Sequence, residues 1–117
     1  MDVRLAQEKE YIPDVWGNRE DANPVKVQLR YLTPGQRRAA FKQRAENKGG
    51  QTILVVEIDA DQLVTAAVKS ISNFTANGKE IKTGRDLLST PGLDEWVTDI
   101  ADEAGTMNAK EDGEVKN

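Results

Sequence analysis

Residues 25–31 alternate without a break. Val25, Val27, Leu29 and Tyr31 point one way, and Lys26, Gln28 and Arg30 the other. A period of two specifies a β-strand with one buried and one wetted face. Directly after it stands Thr33-Pro34-Gly35-Gln36. Thr33 can cap a helix, Pro34 suits its first position and Gln36 completes a capping box. A strand that feeds straight into a capped helix predicts an α+β chain, and everything else has to be arranged around that junction.

The remaining pattern supplies the other elements. The helix from Pro34 is expected to run to about residue 46, ended by Lys48-Gly49-Gly50, where glycine can take the left-handed cap. Thr52-Ile53-Leu54-Val55-Val56-Glu57-Ile58 is the most apolar stretch. Its length and β-branching predict a central strand buried on both faces. Asp59, with Gln62 three residues on, caps a second helix over 60–71. In it Ala60, Leu63, Val64, Ala67, Val68 and Ile71 form one stripe. Asn77-Gly78 marks a hairpin within 72–82, and Thr83 can cap a short helical turn through Leu87 and Leu88. Thr90-Pro91 opens a last helix over 91–104, with Leu93, Trp96, Val97, Ile100 and Ala104 on its apolar side.

Size and polarity set the domain plan. With 117 residues, 38% of them apolar, the chain is expected to hold one domain over 1–105. Its first 24 residues are irregular, with Tyr11-Ile12-Pro13 extended and Trp16-Gly17-Asn18-Arg19 a turn. Residues 106–117 carry almost no large apolar groups and read as a disordered polar tail. No run approaches the roughly 20 apolar residues of a membrane helix, and the N-terminus lacks the apolar stretch of a secretory signal. The strand at 25–31 has one polar face and a strand pair alone is marginal without further cover, so an exposed sheet edge is expected to be satisfied by a second copy in a homo-oligomer.

The chain has no His and no Cys. That removes disulfides, thiolate nucleophiles, imidazole bases and zinc sites of the usual kind. Paired carboxylates, lysine or Mg²⁺ would have to carry any chemistry. Asp59 and Asp61 lie two apart, and Asp99, Asp102 and Glu103 cluster late. The first is spent as a cap and the late three fall on the wet side of their helix, so solvated or structural roles are expected. Gly78-Lys79 and Thr83-Gly84-Arg85 have the wrong order for a phosphate loop, and the hairpin explains the first better. Asn73-Phe74-Thr75 fits the glycosylation tripeptide, which carries little weight without a secretion signal. The expectation is a non-enzyme with no catalytic residues, cofactor or metal.

Charge is uneven. The net value is −4, yet residues 24–50 hold the one acid Glu46 against Lys26, Arg30, Arg37, Arg38, Lys42, Arg44 and Lys48. In the helix expected at 34–46, Phe41 is the one large apolar group and Arg37, Arg38, Lys42 and Arg44 crowd around it. These five are the candidate partner-binding residues. Such a face would steer an acidic partner, whereas the competing reading has Phe41 inward and the charges solvated. Nucleic acid is disfavoured, because the interleaved aromatics and basic balance of its binders are missing.

Two stretches taken together carry a family resemblance. The first is Glu10-Tyr11-Ile12-Pro13-Asp14-Val15-Trp16-Gly17-Asn18-Arg19, followed by the alternating strand and the Thr-Pro helix start. The second runs from Ser70-Ile71-Ser72-Asn73-Phe74-Thr75 through Ala76-Asn77-Gly78-Lys79-Glu80-Ile81 to Lys82-Thr83-Gly84-Arg85-Asp86-Leu87-Leu88, followed by the terminal helix. In order and spacing they resemble small tail-module proteins of long-tailed bacteriophages and prophages, of the tail assembly chaperone type. The resemblance covers roughly residues 10–104 and rests on structural signatures alone. It implies non-catalytic protein–protein interaction in tail assembly, with the tape-measure or tail-tube protein as partner, in the bacterial host cytoplasm. The basic segment and the polar tail depart from it. They keep open a minor structural role in the virion, such as head–tail joining, and behind that a nucleic-acid-binding accessory.

Overall fold

The computed structural model describes residues 1–5 and 7–115, with side-chain surroundings through Ala109. The fold is α+β. β1 (Glu8–Tyr11), β2 (Lys26–Arg30) and β5 (Val68–Ser72) form a three-stranded antiparallel sheet in the order β1-β2-β5. β2 is the alternating segment. Val27 and Leu29 are fully buried on one face, while Lys26 and Gln28 are half-buried on the other and Arg30 is exposed. Tyr11 registers with Val27 on one side and Ile71 with Val27 on the other. The second strand of the sequence is therefore central. β1, inside the segment expected to be irregular, and β5 cover both its sides.

The core lies on one face of this sheet, under α2 (Ala60–Ala67), α3 (Gly84–Ser89) and α4 (Asp94–Val115). Leu63, Val64, Ala67, Ile81, Leu87, Trp96, Ile100, Ala104 and Met107 pack there against Val27, Leu29 and Ile71. The opposite face is wet and carries a polar ladder: Lys69 Nζ reaches Glu8 at 2.6 Å and Gln28 Nε2 donates to Glu8 at 3.3 Å. The Lys69 ammonium holds the Glu8 carboxyl below the usual carboxylate range. Asn18, almost fully buried, pins the polar loop before β2. Its amide donates to the Pro13 and Val25 carbonyls at 2.9 and 3.1 Å, and its oxygen accepts from the Val25 N–H at 2.8 Å.

The cap chemistry read from the sequence forms as expected. Thr33 Oγ1 accepts from the Gln36 N–H at 3.1 Å and Gln36 Oε1 accepts from the Thr33 N–H at 3.0 Å. Asp59 Oδ1 accepts from the Gln62 N–H, and Thr83 Oγ1 from the Asp86 N–H, each at 3.1 Å. Asn77 and Gly78 make the turn between β6 (Thr75–Ala76) and β7 (Lys79–Glu80).

Four element boundaries differ from the sequence reading. The helix expected over 34–46 is α1 (Pro34–Ala40) only. From Phe41 the chain turns extended and becomes β3 (Phe41–Lys48), paired along its whole length with β4 (Gln51–Ile58). The strand expected at 52–58 therefore exists, but as half of a two-stranded ribbon and not as the buried centre of the sheet: only Val55 in it is even half-buried. The helix expected over 60–71 stops at Ala67, and 68–72 becomes β5, because Val68 and Ile71 pair with β2. The last helix starts at Asp94 rather than Pro91 and continues past 104 to Val115. The polar stretch expected to be a disordered tail from 106 is thus helical as far as Val115, with Met107 and Asn108 buried. Residues 116 and 117 lie outside the described residues.

The ribbon projects from the domain. The radius of gyration is 16.4 Å, against about 13 Å for a compact chain of this length. The core contains no residue of 41–58 except Phe41 at its margin.

Candidate functional site

The structure turns the basic helix of the sequence into a helix–ribbon corner. α1 carries Arg37 and Arg38, and β3 begins at Phe41. A cleft of about 660 Å³ opens at this corner, lined by Arg37, Arg38, Phe41, Lys42, Val56 and Ala109. It continues, across Phe41 and Ala109, into a second hollow of about 690 Å³ floored by Ile58 of β4, Ala60 of α2, and Val97 and Ala101 of α4. The two together make an apolar groove between the ribbon base and α4. Arg37, Arg38 and Lys42 stand at one end and Asp102 at the other.

Four of the five candidate partner-binding residues are brought together, and Arg44 is not. In a paired ribbon, directly opposed residues share a face and successive ones alternate. Phe41↔Ile58, Gln43↔Val56, Ala45↔Leu54 and Asn47↔Thr52 therefore share one face, and Lys42↔Glu57, Arg44↔Val55, Glu46↔Ile53 and Lys48↔Gln51 the other. Arg44 lies on the face away from Phe41. Its guanidinium is held by Glu57 at 2.6 Å and Glu46 at 2.8 Å, so it neutralises the ribbon. Lys42 Nζ lies 3.7 Å from Asp59 Oδ2, an exposed pair that holds the side chain loosely.

The acidic candidates have structural positions. Asp59 caps α2. Asp99 accepts from the Tyr11 hydroxyl at 2.7 Å and from the Asp14 N–H at 3.3 Å. Glu103 pairs with Lys9. Asp99 and Glu103 together tie the N-terminal segment to α4. Burial and the Asp99 carboxylate push the Tyr11 hydroxyl up to about 12. Trp16, though exposed, stands edge-on to Trp96 at 5.8 Å and donates from Nε1 to Glu95 at 2.9 Å. Gly78-Lys79 belongs to the β6–β7 turn. Among the described residues no three His, Cys, Asp or Glu side chains converge as a metal site, and no helix is long and apolar enough to cross a membrane.

The sequence reading missed the ribbon's apolar face. Ile58, Val56 and Leu54 alternate with Glu57 and Val55, and Gly49-Gly50 separates two equal runs, which is a hairpin signal. No family model matches this chain, and no curated protein or solved structure matches it.

Proposed function

We propose that this chain is a non-enzymatic protein–protein interaction factor of bacteriophage tail assembly, of the tail assembly chaperone kind, and that its partner docks at the helix–ribbon corner. The observation that carries the docking reading is the groove itself. An apolar floor of Phe41, Val56, Ile58 and Ala101 lies open beside Arg37, Arg38 and Lys42. Apolar surface supplies affinity and a charged rim supplies steering and orientation. An acidic amphipathic segment of a tape-measure or tail-tube protein has the matching chemistry. The phage setting rests on the resemblance of residues 10–19 and 70–88 to tail-module proteins.

The projecting ribbon favours a second reading, a minor structural protein of the virion such as a head–tail joining component, since arms of this kind suit permanent contacts between subunits. Detection of the chain in purified particles separates it from a chaperone, which is released before completion.

The test of docking is titration of the purified tape-measure or tail-tube protein of the same phage against the wild type and the Arg37→Glu/Arg38→Glu double variant, at low and high salt. The variant is expected to lose at least about tenfold in association rate at low salt, with the difference shrinking as salt rises. Equal binding by a correctly folded double variant overturns docking at this corner.

A further inference from the structure

The groove at the helix–ribbon corner has two walls of different kinds. On one side α4 presents Val97, Ala101, Gly105 and Ala109. They are spaced by four residues, so they form one ridge along the helix. All but Val97 are alanine or glycine, so the ridge is low. On the other side the ribbon presents Phe41, Gln43, Val56 and Ile58. These are two directly opposed pairs on one ribbon face. The polar backbone groups of a ribbon lie in its plane, and those of a helix lie along its axis. Neither wall therefore offers a hydrogen-bond partner to the main chain of an occupant. A segment seated there has to satisfy its own N–H and C=O groups, because leaving them unpaired away from water is costly. A helix does this by itself, and an extended segment does not.

We infer that the groove takes the apolar face of a partner α-helix, laid along the ridge from Val97 to Ala109, with the helix's acidic residues at the end beside Arg37, Arg38 and Lys42. This deepens the docking reading above and rests on it. From 97 to 109 the ridge rises about 18 Å, which accommodates about twelve residues of a partner helix. Its apolar anchors recur at i, i+3 or i+4, and i+7. The low ridge brings the two axes toward the short end of the roughly 8–10 Å range of packed helices. The anchors then reach Phe41 and Ile58 on the facing wall. The two parts of the site have separate kinetic roles. Charge at the corner sets the association rate, and packing along the ridge sets the dissociation rate.

The probes are the purified tape-measure and tail-tube proteins of the same phage, with binding followed in real time. Ala101 is half-buried and Ala109 exposed, so Ala101→Gln/Ala109→Gln raises the ridge without adding charge, and glutamine is a good helix former. The variant is expected to keep the circular dichroism and the association rate of the wild type and to dissociate at least about tenfold faster. Arg37→Glu/Arg38→Glu has the opposite signature, a slower association. Hydrogen exchange on the bound probe, with the wild-type chain, should protect a run of about twelve residues whose apolar positions repeat at helical spacing. This footprint stands even if the glutamine variant fails to fold. A proline at the centre of the run should weaken binding at least about tenfold, because it breaks a helix interior. Unchanged dissociation of a folded glutamine variant, a protected run that alternates with a period of two, or a tolerated proline overturns the helical occupant and leaves docking at the corner standing. Failure of the wild type to bind either probe overturns both.

Discussion

Asn108 on the last helix accepts a hydrogen bond from the backbone N–H of Leu32, 76 residues earlier, at 2.8 Å, while its own amide donates to the Ala104 carbonyl at 2.8 Å. The side chain is fully buried. It satisfies the backbone at the turn from β2 into α1, where the N–H of Leu32 has left the sheet and not yet entered the helix. Replacing it by alanine strands that donor, and an unsatisfied buried N–H costs about 1–3 kcal/mol. Asn108→Ala is expected to lower stability by that amount in chemical denaturation. Asn108→Asp keeps the acceptor but buries a charge, and should be worse near neutral pH than in acid. Truncation after Gly105, which also removes buried Met107, should destabilise more than the alanine variant.

Gly84, the first residue of α3, lies against α2. A Cβ placed there would sit 2.7 Å from the Val64 carbonyl oxygen and 3.2 Å from its carbon. That neighbour is backbone within a helix and cannot swing aside. Gly84→Ala would improve intrinsic helix propensity, yet the clash dominates. The expected result is a loss of about 1–3 kcal/mol, read as a fall of several degrees in Tm. An unchanged Tm would mean that α2 and α3 sit further apart than described.

Tyr11 provides a pH test. Its hydroxyl is held up to about 12 by burial and by the hydrogen bond to Asp99, against about 10 in an unfolded chain. Between these values the unfolded state has released the proton and the folded state has kept it. Stability from this group is therefore complete below pH 10 and falls as pH rises toward 12. Tyr11→Phe should lose about 1 kcal/mol at neutral pH and show a shallower decline between pH 10 and 12. Tyrosinate absorbance compared between the two proteins reports the Tyr11 titration directly.

Much of this fold could be read where local chemistry decides it. The β2 alternation, the Thr33, Asp59 and Thr83 caps and the Asn77-Gly78 turn each involve neighbours within a few residues, and all formed. The failures lie where distant contacts override local preference. Lys42, Gln43, Arg44, Ala45 and Glu46 are mostly good helix formers, yet they pair with 51–58 because Gly49 and Gly50, with φ of 59° and 81°, close a two-residue turn between equal runs. Apolar content made 52–58 look central, whereas its side chains face solvent and await a cover from outside the chain. Val68 and Ile71 fit a helical stripe as well as a strand, and only the vacant side of β2 selects the strand. Of the candidate site, Phe41 with Arg37, Arg38 and Lys42 came together as a patch. Arg44 dropped out because it lies further along the strand than Lys42 and its guanidinium is taken up by Glu46 and Glu57.

The ribbon should be separable from the fold that carries it. No residue of 42–58 belongs to the core, and Phe41 touches only its margin. The link to the body is the Asp59 N–H bond to the Ala40 carbonyl at 2.8 Å, which closes the base of the hairpin. Replacing 44–55 by an Asn-Gly turn keeps that base, and Asn-Gly supplies the positive φ values a two-residue hairpin requires. The shortened chain is expected to fold with a Tm within a few degrees of the wild type, since the removed residues bury little apolar area in the monomer. Amides of 44–55 in the intact monomer should exchange much faster than those of Val27 and Leu29, whose opening needs global unfolding. A large loss of Tm on excision, or slow exchange along the arm in dilute protein, would show that the ribbon is held by the body of the domain.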